Sequence, residues 1–189
     1  MKDKVIGLIP ARYGSIRFPG KPLVSIAGKT LLQRTYENAK RCKLLDDLVV
    51  ATDDDRIFEH VTKFGGKAVM TSPDCLTGTD RLAEAVKNPK LSGFDIIVNV
   101  QGDEPFLDPH VIEAVVQKLT GDASAAMSTA VVKLTSKEDA FNHSVVKCVM
   151  DNSGNALYFS RTLIPSGKEE GKFRSDVTYY KHLDRKSVV

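Results

Sequence analysis

The sequence predicts an α/β fold: a doubly wound, mostly parallel sheet with an antiparallel hairpin in the second half. Short, nearly all-apolar runs at residues 5–9, 48–51 and 96–100 read as strands buried on both faces. Segments of helical period fall between them, which is the alternation of a βαβ chain. Beyond residue 126 strands follow one another across turn residues, the mark of antiparallel pairing.

Taken in order, residues 5–9 form a mid-sheet strand and residues 10–22 a loop. Leu31, Leu32, Thr35, Tyr36, Ala39 and Cys42 then recur at helical spacing with Glu37, Lys40 and Arg41 opposite them, giving a crossover helix. After the strand at 48–51, Asp53 is expected to cap a helix whose Ile57, Phe58, Val61 and Phe64 share one face, with Gly65 and Gly66 ending it. A strand at 68–70 leads into the loop 71–78 and a helix starting near Thr79 or Asp80, with Leu82, Ala85 and Val86 inward and its end before Asn88-Pro89. Following the strand at 96–100, Asp108 is an N-cap and Pro109 a first helical residue; Val111, Ile112, Val115, Val116 and Leu119 turn inward before Gly121. Strands are expected at 127–134 and 145–150, the latter joined through 151–155 to a partner at 156–159, and residues 165–176 make a polar loop.

A chain of 189 residues can bury one sizeable core, so a single domain over residues 1–189 is expected. The net charge of +3 is mild and its cations are dispersed, so neither nucleic acid nor an anionic membrane is called for. Cys42, Cys75 and Cys148 are widely spaced with no metal-ligand pattern and read as reduced, structural thiols. The first apolar run breaks at Pro10, too short for a secretion signal, and no membrane-length apolar stretch occurs, which places the protein in the cytoplasm.

The chemistry gathers at strand ends. Residues 10–22, PARYGSIRFPGKP, form a basic loop punctuated by glycine. Open α/β sheets bind ligands at such strand ends, and glycines let backbone N–H groups approach phosphate oxygens. Arg12, Arg17 and Lys21 add cations with no carboxylate between them, a pattern suited to a nucleoside triphosphate. The loop is neither a P-loop nor a dinucleotide fingerprint, because Gly14 and Gly20 are wrongly spaced and proline follows Lys21. A solvated basic loop has the same composition, so this stretch alone leaves both readings open.

Two further strand ends can converge on the first. Thr77, Gly78, Thr79, Asp80 and Arg81 offer hydroxyls and N–H groups at a helix start, and Thr77 with Asp80 also has the spacing of a capping box. Asp103 follows the strand at 96–100 and is a good ligand for Mg²⁺, which takes one or two carboxylates and completes its shell with water and phosphate. A plain turn residue is the other reading of Asp103. Arg161, after the hairpin, can meet an anionic substrate or solvent, and His60, His110 and His143 have no partner nearby in sequence and receive no role.

The stretches 9–23, 50–53, 77–84, 98–105 and 156–161 (IPARYGSIRFPGKPL, VATD, TGTDRLAE, VNVQGDEP and ALYFSR) together resemble the 3-deoxy-manno-octulosonate (KDO) cytidylyltransferase family, the CMP-KDO synthetases. Sialic acid cytidylyltransferases share the Pro-Ala-Arg loop, but QGDEP and YFSR look like the KDO branch. The resemblance implies the sheet of the nucleotide-diphospho-sugar transferases and transfer of CMP from CTP to the anomeric hydroxyl of KDO, with pyrophosphate released. It also implies Mg²⁺ as cofactor, a place in bacterial lipopolysaccharide synthesis, and a homodimer. By similarity Lys21 and Asp103 are catalytic, with Asp103 the metal ligand. Pro10, Ala11, Arg12, Arg17, Lys21, Thr77, Gly78, Thr79 and Arg81 would take CTP, while Gln101, Arg161 and His182 would face the sugar acid.

After Leu183 the family pattern continues with a Gly-x-Tyr strand, a helix and an Asp-Thr-Pro-Glu-Asp-like run, where this chain reads DRKSVV. The chain is therefore expected to lack the C-terminal part that carries a second metal carboxylate and much of the dimer contact, and to leave apolar sheet surface uncovered. Alternatives to the full enzyme are a non-catalytic CTP-binding remnant of the same family and a cytidylyltransferase for another acid sugar.

Overall fold

The computed structural model describes residues 3–14, 18–166 and 173–188; Arg17, one of the expected triphosphate cations, lies outside them. The chain divides into two units, Met1–Ser128 with Arg185–Val189, and Thr129–Asp184.

In the first unit β1 (Val5–Ala11) is buried along almost its whole length because its apolar side chains point both ways. Ile6 and Leu8 pack with Val49, Ala51, Val69, Leu82 and Ala85, while Val5 and Ile9 fill the opposite face. A small ribbon that the sequence did not announce follows, β2 (Ser25–Ile26) with β3 (Lys29–Thr30). Thr30 then caps α1 (Leu31–Ala39) by accepting from the Gln33 N–H at 3.1 Å, and the helix buries the residues its spacing predicts, up to Ala39.

β4 (Asp47–Thr52), α2 (Asp55–Lys63), β5 (Lys67–Met70), α3 (Gly78–Ala85), β6 (Ile96–Asn99) and α4 (Pro109–Thr120) complete this unit. Asp108 caps α4 with Pro109 at its first position, as predicted. One expected cap moves: α2 is capped by Asp54, whose carboxylate accepts from the Arg56 N–H at 3.0 Å, because Asp53 is drawn away to Arg81. α3 starts at Gly78 with Thr77 as its cap, slightly earlier than expected.

The strands run parallel in the order β5-β4-β1-β6. The chain steps outward from β1 through β4 to β5, then returns to lay β6 on the other side of β1. The strand order reverses between β1 and β6, and at such a switch point the loops leaving the strand ends diverge and open a crevice.

His60 on α2 has a partner that sequence reading missed: its Nε2 lies 2.7 Å from the Thr30 hydroxyl. Burial, then the nearby Lys63, lowers its pKa from 6.5, so the folded state resists the proton that the unfolded chain accepts. Its contribution to stability is complete above the unfolded pKa and is lost as pH falls through that value towards the lower folded one. Thermal melts at pH 7.5 and 5.5 should show a drop that His60→Gln reduces; an equal drop in the variant would exonerate His60.

The second unit is antiparallel. It contains most of β7 (Ser128–Lys133), α5 (Lys137–Phe141), β8 (Lys147–Met150), β9 (Ala156–Ser160) and the start of β10 (Tyr180–Val188). β8 and β9 form the predicted hairpin, with Asp151 in its turn accepting from the Ser153 and Asn155 N–H groups. β10 pairs antiparallel with β8 at Tyr180 and Lys181, and its Val188, counted with the first unit, pairs antiparallel with Val98. α5 and β10 had no clear signal in the sequence.

The core of this unit is small: Leu134, Ala140 and Tyr179, with Val145, Leu163, Phe173 and Val177 packed against them. β9 exposes Leu157, Tyr158 and Phe159. No helix among the described residues is long and apolar enough to cross a membrane.

Candidate functional site

The crevice at the β1/β6 switch point is a cleft of about 280 Å³, lined by three loops of the first unit. From the end of β1 and the loop after it come Pro10, Ala11, Arg12, Lys21 and Pro22; from the loop before α3 and its first turns, Cys75, Leu76, Thr77, Gly78 and Arg81; from beyond β6, Gln101, Gly102 and Asp103; and from α1, Leu31. The loops meet around Pro10. A Cβ on Gly78 would stand 3.3 Å from the Pro10 ring, and one on Gly102 would stand 3.3 Å from both the Pro10 carbonyl and Ile9. At these two positions a Cβ would fit only if its neighbours gave way by a few tenths of an ångström.

The basic loop is held in shape from within and without. The Gly20 N–H donates to the Tyr13 carbonyl at 2.8 Å, closing the loop just before the 3-10 turn Lys21–Leu23. The Arg56 guanidinium lies 3.4 Å over the Tyr13 ring and is itself gripped by Asp54. That ion pair keeps the Asp54 carboxyl below its ordinary range. Arg12 is exposed and lines the cleft.

Lys21 reaches across to the third loop, and its Nζ lies 2.6 Å from Asp103 Oδ2. The residue expected to hold phosphate and the residue expected to hold a metal thus neutralise one another. The third loop is steadied by α1, where the Thr35 hydroxyl faces the Gly102 carbonyl and Asn38 donates to the Leu107 carbonyl. Gln101 donates to Asn99 Oδ1 at 3.0 Å.

The second loop has a complete capping box. Thr77 Oγ1 accepts from the Asp80 N–H, and Asp80 Oδ2 accepts from the Thr77 N–H at 2.9 Å. Thr79 is exposed in the first turn and is not among the lining residues. Arg81 is not a free cation in the cleft. It is 2% exposed, with Nη2 donating to Asp53 at 2.9 Å and Nη1 to the Thr71 hydroxyl at 2.6 Å. Glu84, also on α3, accepts from the Ser72 N–H and from the Cys75 thiol; that contact holds the thiol protonated by raising its pKa. Cys75 therefore faces the cleft as a neutral thiol, which residue spacing did not reveal.

Arg161 and His182 belong to the second unit. The Arg161 guanidinium donates to the His143 carbonyl at 3.0 Å, and its own carbonyl accepts from Lys147 at 2.6 Å. His182 Nε2 is 2.7 Å from Thr129 Oγ1, and its ring lies against Phe159. His110 pairs with Glu113 on the surface of α4, a partner three residues away that the sequence reading passed over.

Asp103 suits a hard cation. It offers oxygen, and it is 29% exposed in its side chain. No cluster of three or more His, Cys, Asp or Glu residues able to hold a metal occurs among the described residues, so most of the shell would come from water and ligand phosphate.

Comparison with known proteins identifies the family. The cytidylyltransferase family profile matches residues 6–187. The 3-deoxy-manno-octulosonate cytidylyltransferase of Protochlamydia amoebophila is 59% identical over 97% of this chain and 71% of its own. That of Leptospira interrogans is 49% identical over 97% and 71%. A solved CMP:2-keto-3-deoxy-manno-octonic acid synthetase in complex with CTP superimposes with a TM-score of 0.88 and 40% identity, over 98% of this chain and 73% of that one.

Proposed function

This chain belongs to the cytidylyltransferase family, among the 3-deoxy-manno-octulosonate cytidylyltransferases, and from that we propose that it transfers CMP from CTP to KDO. The observation that carries the reading is the Lys21–Asp103 pair, set where three glycine-shaped strand ends close around one cleft. In the reaction the anomeric hydroxyl oxygen of KDO bonds to the α-phosphorus of CTP. The bond from that phosphorus to its bridging oxygen breaks, pyrophosphate leaves, and the hydroxyl proton passes to solvent.

Such a transfer needs alignment and charge neutralisation more than a protein nucleophile. Lys21 and Arg12 are placed to draw in the triphosphate, and the backbone around Pro10, Gly78 and Gly102 gives the nucleotide a close-fitting wall. Mg²⁺, held by Asp103, would supply further charge neutralisation on the phosphates. Gln101 lines the cleft and is proposed to face the sugar acid, with Arg161 and His182 proposed as further sugar contacts by resemblance to the family. Lipopolysaccharide synthesis and a cytoplasmic location complete the proposal, with the family's homodimer weakened or lost here.

A pyrophosphate-release assay with CTP, KDO and Mg²⁺ tests it. Release that depends on KDO is the expected result. CTP binding without release would reduce the protein to a nucleotide binder, and release with another acid sugar but not KDO would move it to a different branch.

A further inference from the structure

We propose that Asp53 is a positioning residue for the nucleotide cleft, acting through Arg81 on the loop that forms one of its walls; this rests on the function proposed above. Asp53 is not among the residues that line the cleft. It stands just beyond the end of β4, and its carboxylate receives Arg81 Nη2 at 2.9 Å. The other arm of the guanidinium holds Thr71, the residue just beyond the end of β5, whose own N–H is tied to the Thr52 carbonyl. One buried arginine therefore fastens the start of α3 to the ends of two strands. The side chains are 3% exposed at Arg81 and 18% at Asp53, so the pair is largely shielded from solvent.

The charge at Asp53 is needed for a specific reason. Arg81 sits within the first turns of α3, where the helix dipole and free N–H groups disfavour a cation. The carboxylate offsets that penalty and fixes the guanidinium of Arg81, which lines the cleft together with Thr77 and Gly78. One turn further along α3, Glu84 grips Ser72 and Cys75 in the same loop. The wall from Cys75 to Gly78 thus hangs between Asp53, Arg81 and Glu84, and of these Asp53 alone directly follows a strand of the central sheet. Without its charge the arginine keeps the hydroxyl of Thr71 but loses the anchor that fixes its direction.

Asp53→Asn should raise KM for CTP about tenfold while kcat changes less than about twofold, because the wall shapes binding and leaves the transferring phosphate alone. Calorimetric CTP binding should weaken by the same factor. Arg81→Lys keeps the charge but cannot reach both partners, and it should raise KM similarly. The double variant should be no worse than either single one, since all three break one linkage. Asp53→Glu should recover part of the loss.

Asp47→Asn is the control. It breaks the Lys67 ion pair at the opposite end of β4 and should leave the CTP constants as they were. An Asp53→Asn protein that melts earlier but binds CTP normally would overturn the proposal, and so would a fall in kcat at constant KM. If the wild-type protein itself fails to bind CTP in the calorimeter, the nucleotide reading falls and takes this inference with it. That outcome is distinct from a variant-specific result.

Discussion

Asp103→Asn should lose at least about a hundredfold in CMP transfer and still fold. The side chain keeps its volume and loses only its charge, in a loop whose shape comes from Gly102, Thr35 and Asn38. A charged group acting on a phosphoryl transition state contributes roughly 3 kcal/mol, which is about a hundredfold in rate. Binding should move differently from turnover. In the wild-type protein Lys21 is engaged by Asp103 at 2.6 Å, so a triphosphate arriving without metal must displace a carboxylate that also repels it.

The asparagine variant should therefore retain CTP binding, measured in the calorimeter with EDTA present, while pyrophosphate release collapses. Lys21→Ala should do the reverse at the binding step and weaken CTP, because it leaves Asp103 facing the phosphates without its counter-charge. Unchanged turnover in Asp103→Asn would remove the carboxylate from the chemistry. A pair of variants that lose CTP binding equally would mean that the two groups act only as a structural ion pair.

The parallel half of the fold was legible because its information is local. Buried strands such as β1 and β4 have apolar residues on both faces, and the Asp108-Pro109 start of α4 needs no distant partner. The cap of α2 was misassigned for the opposite reason. Residues 53–55 are all aspartate, and which of them caps the helix is decided by Arg81, 28 positions away. The same distant contact gives Arg81 a tie into the sheet that its motif did not suggest.

The cleft lining was readable at Arg12, Lys21, Thr77, Gly78, Arg81 and Asp103 from their places near strand ends or a helix start, and at Pro10, Ala11 and Gln101 through the family resemblance. Cys75 and Leu76 were not, since a thiol and an exposed leucine in a loop carry no local pattern. The short ribbon β2–β3, the five-residue α5 and β10 were missed because each is either too brief for periodicity or too polar in sequence to look like a strand.

Lys147→Met should destabilise the second unit by about 2–4 kcal/mol. Lys147 is completely buried, and its ammonium donates to the carbonyls of Asn142 at 3.0 Å, Val145 at 2.8 Å and Arg161 at 2.6 Å. Two effects compete. Burial disfavours the charge and lowers the lysine pKa, with the nearby Arg161 adding to it, so an apolar replacement relieves a desolvation penalty. Methionine, of similar length, fills the space but donates nothing, so the Val145 and Arg161 carbonyls lose the ammonium, while the Asn142 carbonyl keeps the Val145 N–H at 3.0 Å.

A shielded carbonyl that loses its donor costs about 1–3 kcal/mol, so the two that depend on the ammonium outweigh the relief. A core built around Leu134, Ala140 and Tyr179 has little apolar area with which to absorb that loss. The damage should appear first as faster amide exchange around residues 142–145 and at Arg161, where the ammonium ties the turn to the end of β9. If Arg161 meets the sugar acid as proposed, KM for KDO should rise in this variant while KM for CTP stays constant. A variant as stable as the wild type would mean that water or a shifted backbone satisfies those carbonyls, and that Lys147 fills space without organising the turn.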